Sequence, residues 1–77
     1  MKIDEKITIK KQLHPRRKSS PVTNDNHYII EADNTDFRIA EINGRWELYD
    51  GIIKSVIGFY RESEEAINEA IAIILNS

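Results

Sequence analysis

The stretch FRIAEINGRWELYDGIIKSVIGFY, Phe37 to Tyr60, decides the fold. Asn43-Gly44 lies between two runs rich in β-branched and aromatic residues. That dipeptide is the strongest short hairpin signal, because a type I′ turn needs positive φ at both central positions. A two-residue loop fixes the register: Ile42 faces Arg45, Glu41 faces Trp46, Ala40 faces Glu47, Ile39 faces Leu48 and Arg38 faces Tyr49. Side chains alternate between faces along a strand. Phe37, Ile39, Trp46 and Leu48 therefore share one face with Glu41. Arg38, Ala40, Ile42, Arg45, Glu47 and Tyr49 share the other. This clean sorting supports the register.

Asp50-Gly51 repeats the signal. A second two-residue turn would set Tyr49 against Ile52, Leu48 against Ile53 and Glu47 against Lys54. The last pair joins opposite charges, a contribution of roughly 0.2–1 kcal/mol. The inner face would then gain Ile53, Ser55, Ile57 and Phe59. The expectation is a three-stranded antiparallel meander over residues 36–60.

Outward from the meander, residues 7–13 alternate apolar and polar and read as a strand. Residues 27–32 do the same, with Tyr28, Ile30 and Ala32 on one face. His14-Pro15 ends the first strand, since proline cannot donate to the ladder. Residues 14–26 form a basic loop with Val22 as its sizeable apolar group, closing in the turn residues Asn24-Asp25-Asn26. A helix follows over 63–75. Ser63 suits an N-cap, Glu64-Glu65 suits the positive end of the helix dipole, and Ala66, Ile67, Ala70, Ile71 and Ile74 fall on one face. The fold class is thus α+β: a single domain over 1–77, with an antiparallel sheet of four to five strands and one C-terminal helix packed on one face.

A chain of 77 residues buries only about 60% of its unfolded surface. It has no cysteine, which excludes disulfides and thiolate metal sites. The N-terminus MKIDEKITIKK lacks the apolar core of a secretory signal. The longest apolar run is far short of the ~20 residues of a membrane span. A soluble, cytoplasmic protein that does not engage membranes is expected.

The net charge of −2 is unevenly spread. Residues 1–20 hold Lys2, Lys6, Lys10, Lys11, Arg16, Arg17 and Lys18 against Asp4 and Glu5, while the remainder is strongly acidic. The cationic segment can meet an anionic partner, or the acidic part of its own fold. Arg16-Arg17-Lys18, flanked by Ser19 and Ser20, could meet phosphates. On the outer sheet face Arg38, Arg45, Lys54 and Tyr49 combine cations with an aromatic, but Ala40, Ile42, Ile52 and Val56 share it. That much apolar surface points to burial against the N-terminal segment or a second chain.

GFYRESEEAINEA, Gly58 to Ala70, resembles the end of AP2-type and integrase arm-binding domains. Gly58, Phe59, Glu64, Glu65 and Ala66 carry the likeness, with Ser63 near the Ser/Thr position but shifted in spacing. It covers about half the chain, and those families are more basic on the strands. The resemblance implies a three-stranded sheet that enters the DNA major groove and is braced by one helix.

No catalytic, cofactor or metal signature is present. His14 and His27 have no partner ligands at metal-site spacing. Glu41 is the one acid assigned to the inner face, at its rim. The expected function is that of a small non-enzymatic interaction or regulatory protein, acting through a protein–protein interface on the exposed sheet face, with a protein partner or a second copy. The alternative is a nucleic-acid-binding module using Arg16, Arg17, Lys18 and the outer face.

Overall fold

A computed structural model describes residues 7–15, 20–33 and 35–76. Its elements are β1 (Thr8–Leu13), β2 (Asn26–Ala32), β3 (Thr35–Ile42), β4 (Arg45–Asp50), β5 (Ser55–Tyr60) and α1 (Ser63–Leu75). The strands form one open antiparallel sheet in the order β1-β2-β3-β4-β5, with α1 packed against one face. This is the α+β architecture the sequence implies.

The β3–β4 register is the one that a two-residue Asn43-Gly44 turn dictates, from Ile42 opposite Arg45 through Phe37 opposite Asp50. Asn43 and Gly44 adopt φ of 51° and 81°. Beneath the helix lie Ile30, Phe37, Ile39, Trp46 and Leu48, all buried and joined by Ala66 and Ala70. Alanine at those two helical positions lets the helix backbone come close to the sheet. Each fully buried Leu, Ile or Phe contributes about 1.5–3 kcal/mol. Tyr28 and Trp46 add a tilted ring contact at 5.9 Å between centroids. Ile67, Ile73 and Ile74 line the same helical face, with Ile73 packed on the core where Ile71 was expected.

The helix start differs in detail. Glu62 occupies the N-cap position and Ser63 is the first helical residue. The Glu62 backbone N–H donates to Glu65 Oε1 at 3.0 Å, so a carboxylate satisfies an amide that the helix itself cannot.

The β4–β5 connection corrects the second expected turn. Residues 51–54 form a four-residue loop, and the ladder resumes at Ser55, opposite Asp50, rather than at Ile52 opposite Tyr49. Two contacts explain why. Asp50 Oδ1 accepts from the N–H groups of Ile52 at 2.9 Å and Ile53 at 3.4 Å, which holds the chain in a wider bend. The Gly51 N–H donates to the Asp36 carbonyl at 2.7 Å, tying that bend back to β3.

The ladder then runs Tyr49 to Val56, Leu48 to Gly58, Glu47 to Phe59 and Trp46 to Tyr60, with an irregularity between Leu48 and Tyr49. Ile57 is the extra residue of this bulge. Glu47 faces Phe59, not Lys54, so the expected charge pair does not form. Tyr60 packs against the core in place of Phe59. Burial raises its phenol above the ordinary pKa, and nearby Glu69 acts in the same direction. Ile53, Ser55, Ile57 and Phe59 are all exposed rather than internal.

Gly44 and Gly51 serve different ends. A Cβ on Gly44 would meet nothing within 4 Å, so only its φ favours glycine. On Gly51 a Cβ would lie 2.8 Å from Asp36 Oδ2 and 3.1 Å from the Asp36 carbonyl oxygen. Gly44→Ala should cost about 1 kcal/mol through backbone strain. Gly51→Ala should cost about 1–3 kcal/mol, because β3 must move. Thermal melts followed by circular dichroism should show the larger fall in Tm for Gly51→Ala.

Candidate functional site: the outer sheet face

The side of the sheet opposite α1 presents Lys10 and Gln12 from β1, and His27, Ile29 and Glu31 from β2. It continues with Asp36, Arg38, Ala40 and Ile42 from β3, Arg45, Glu47 and Tyr49 from β4, and Val56 and Phe59 from β5. This set follows from the registers and the strand alternation. No described element lies across it. At its centre is an open groove of about 470 Å³, lined by Gln12, His14, His27, Arg38, Glu47 and Tyr49 over a floor that includes Ile29 and Ala40.

Arg38, Arg45 and Tyr49 therefore share the outer face as expected. Lys54 does not. It lies in the β4–β5 loop with φ of 56°, outside any strand. Ile52 lies in the same loop and so leaves the sheet face as well. Arg16, Arg17 and Lys18 fall outside the described residues. Phe59 joins the face instead, 51% exposed. Its signal in the sequence was the Asp50 side chain. An Asp that caps the amides two and three residues on widens a hairpin and shifts the register behind it.

The charges on this face are mixed. Lys10 Nζ lies 3.1 Å from Glu31 Oε1, and Arg38 Nη2 lies 3.3 Å from Asp36 Oδ2. Arg45 and Glu47 complete a set in which Lys10, Arg38 and Arg45 are matched by Glu31, Asp36 and Glu47. Exposed pairs of this kind add little stability, about 0–1 kcal/mol each. Their importance here is electrostatic: the described face has no single dominant sign.

The two histidines meet at one end of the groove. Their ring centroids are 4.5 Å apart at a 39° tilt. The His14 N–H donates to the Asp25 carbonyl at 2.8 Å, which brings the two ends of the 14–26 loop together. The His14 ring also bonds to Gln12 through Nε2 and Oε1 at 3.0 Å. His27 Nε2 is buried without a hydrogen-bond partner among the described residues. Burial lowers the His27 pKa below the usual 6.5; His14 lowers it further, and Asp25 opposes them.

The far part of that loop is tied down. Val22 forms a bridge with Ile42, and the Thr23 N–H donates to the Glu41 carbonyl at 2.9 Å. Thr23 Oγ1 donates to Glu41 Oε1 at 2.8 Å and accepts from the Gly44 N–H at 2.9 Å. The Asn43 N–H donates to the Pro21 carbonyl at 2.8 Å. Glu41, at the rim of the inner face, thus has a structural partner in Thr23, and residues 21–23 brace the β3–β4 turn.

No protein-family model, curated protein or solved structure matches this chain. Among the described residues no three His, Asp or Glu side chains are grouped to hold a metal ion, and no helix is long and apolar enough to cross a membrane.

The lowered His27 pKa has a definite consequence for stability. The unfolded chain takes up a proton near pH 6.5 while the folded one still resists it. Stability is therefore full above that pH and falls as the pH drops through and below it. His27→Asn should flatten the pH dependence of Tm between pH 6.5 and about 5, above the usual carboxylate range. An unchanged slope in that variant would show that other groups control it.

Proposed function

We propose that this is a small non-enzymatic interaction protein that binds a partner protein through the outer sheet face. The single observation that carries this reading is the composition of that face. Ile29, Ala40, Ile42, Val56, Phe59 and Tyr49 supply apolar and aromatic surface, and around them stand charges of both signs. Protein interfaces combine an apolar, aromatic-rich centre with a polar rim. The partner that fits is a protein surface with apolar side chains ringed by mixed charge, not a polyanion.

A nucleic-acid-binding role is the second reading. The likeness of Gly58–Ala70 to AP2-type and integrase arm-binding domains speaks for it, as does the cationic run Arg16-Arg17-Lys18. Against it stands the pairing of Lys10 and Arg38 with acids, since phosphate binding depends on unneutralised cations. The departure of Lys54 from the face weakens it further.

A photo-crosslinking amino acid placed at Tyr49 tests the two readings in cells. The expected outcome is a discrete protein adduct identified by mass spectrometry. Ala40→Arg, which fills the groove floor without touching the helix-covered core, should abolish the adduct while leaving Tm nearly unchanged. Crosslinks to RNA or DNA that disappear with added salt would overturn the protein-interface reading.

A further inference from the structure

One corner of the outer face keeps charges that the fold leaves unmatched. The last rung of the β4–β5 ladder is Trp46 opposite Tyr60. Arg45 and Arg61 lie just beyond it, both exposed, and line one open hollow of about 340 Å³ with Gly44 and Phe59. A second hollow of about 300 Å³ shares Arg45 and Phe59 with the first and adds Ile42 and Glu47. Phe59 is exposed and stands directly opposite Glu47 in the ladder.

Elsewhere on the face charges satisfy each other, Lys10 with Glu31 and Arg38 with Asp36. Arg45, Arg61 and Glu47 do not. None of the three has an ion-pair or side-chain hydrogen-bond partner among the described residues. Two guanidinium groups on one hollow repel each other, and an anion between them relieves the repulsion. Each guanidinium offers a planar fork of donors. A single fork fills a carboxylate, whereas the three oxygens of a phosphate monoester accept from two. The charge of that ester, about −1.5 to −2 at neutral pH, matches the two arginines. The neighbouring hollow has a different character. Phe59 and Ile42 give a flat ring a surface to stack on, and the Glu47 carboxylate accepts from an amino group at the edge of such a ring. Arg45 and Glu47 lie two residues apart on one face of β4, about 7 Å by strand rise, a gap that a sugar bridges.

We infer that this corner binds a nucleoside monophosphate whose base carries an exocyclic amino group. Arg45 and Arg61 hold the phosphate, Phe59 stacks on the base, and Glu47 accepts from the amino group. A longer phosphate chain brings charge for which no further described cation lines either hollow. The inference does not rest on the protein-interface reading, because the groove floor at Ala40 lies outside both hollows.

Titration of the full isotope-labelled chain with AMP, followed by NMR, tests it, and the amide spectrum of each variant reports its fold. AMP should shift the amides of Gly44, Arg45, Phe59 and Arg61 and saturate in the millimolar range. Adenosine and inorganic phosphate should each bind about tenfold more weakly than AMP. Arg45→Gln and Arg61→Gln should each weaken AMP about tenfold as well. IMP, with a carbonyl where AMP has the amino group, should bind about fivefold more weakly, and Glu47→Ala should erase that difference. Ala40→Arg should leave AMP binding unchanged. Absence of shifts at about 10 mM AMP would overturn the inference. So would equal binding of inorganic phosphate, which marks a plain anion site, or shifts centred on Arg38 and Tyr49, which place the ligand in the groove.

Discussion

The positive φ angles of Asn43 and Gly44 hold β3 and β4 in a register that every other feature of the fold depends on. With that register, Phe37, Ile39, Trp46 and Leu48 lie on one face and can be covered by a single helix. A slip of one residue would exchange them for Arg38, Ala40, Glu47 and Tyr49. Burying Arg38 and Glu47 under α1 would cost several kcal/mol per ion. Seven buried hydrophobic residues among those described leave little reserve to offset that. The chain accordingly spends several hydrogen bonds on this one turn. Pro21 and Thr23 both reach it, and Thr23 Oγ1 accepts directly from the Gly44 N–H.

Once the register is set, the sheet is asymmetric in two ways. One face is closed by Ala66 and Ala70, which let the helix approach, while the other keeps mixed charge and apolar surface. One edge carries lysines, while the other carries none. The helix also leaves β1 largely uncovered: all six of its residues are exposed, including Leu13. The fold is best closed around β2, β3 and β4. Its open surfaces are the outer face and the two edges, and their chemistries differ enough to serve different contacts.

The first hairpin was legible because its turn is purely local. Asn-Gly has few alternatives, and the alternation on either side agrees with it. The second was misread because Asp-Gly has a competing use. Asp50 caps the amides of Ile52 and Ile53, and Gly51 is required for the close approach to Asp36. Neither contact is visible without β3 in place, so a tertiary interaction outweighed a local signal. The cost of that misreading fell on β5. Phe59 and Tyr60 exchanged faces, and Lys54 left the sheet. The helix was legible from its periodicity and its acidic first turn, but its cap was not: Glu62 rather than Ser63 is the N-cap, helped by the carboxylate of Glu65. For Arg16, Arg17 and Lys18 the sequence remains the source of the reading.

The segregation of charge along the chain takes on a different meaning in the folded sheet. Lys10 belongs to the cationic N-terminal part and Glu31 to the acidic remainder, yet β1 and β2 pair them on one face. Sheet assembly thus uses part of the basic segment to balance the rest, and the outer face ends with matched signs. A matched face gives up long-range attraction for a polyanion and gains discrimination at short range, where each charge must meet its opposite. The same economy links association to stability. With a small core, any partner that covers Val56 and Phe59 buries apolar area that the monomer leaves in water. A partner that bound only the folded chain would enter the folding equilibrium through its concentration. A partner of that kind would therefore couple its binding to folding through the exposed side chains of β5.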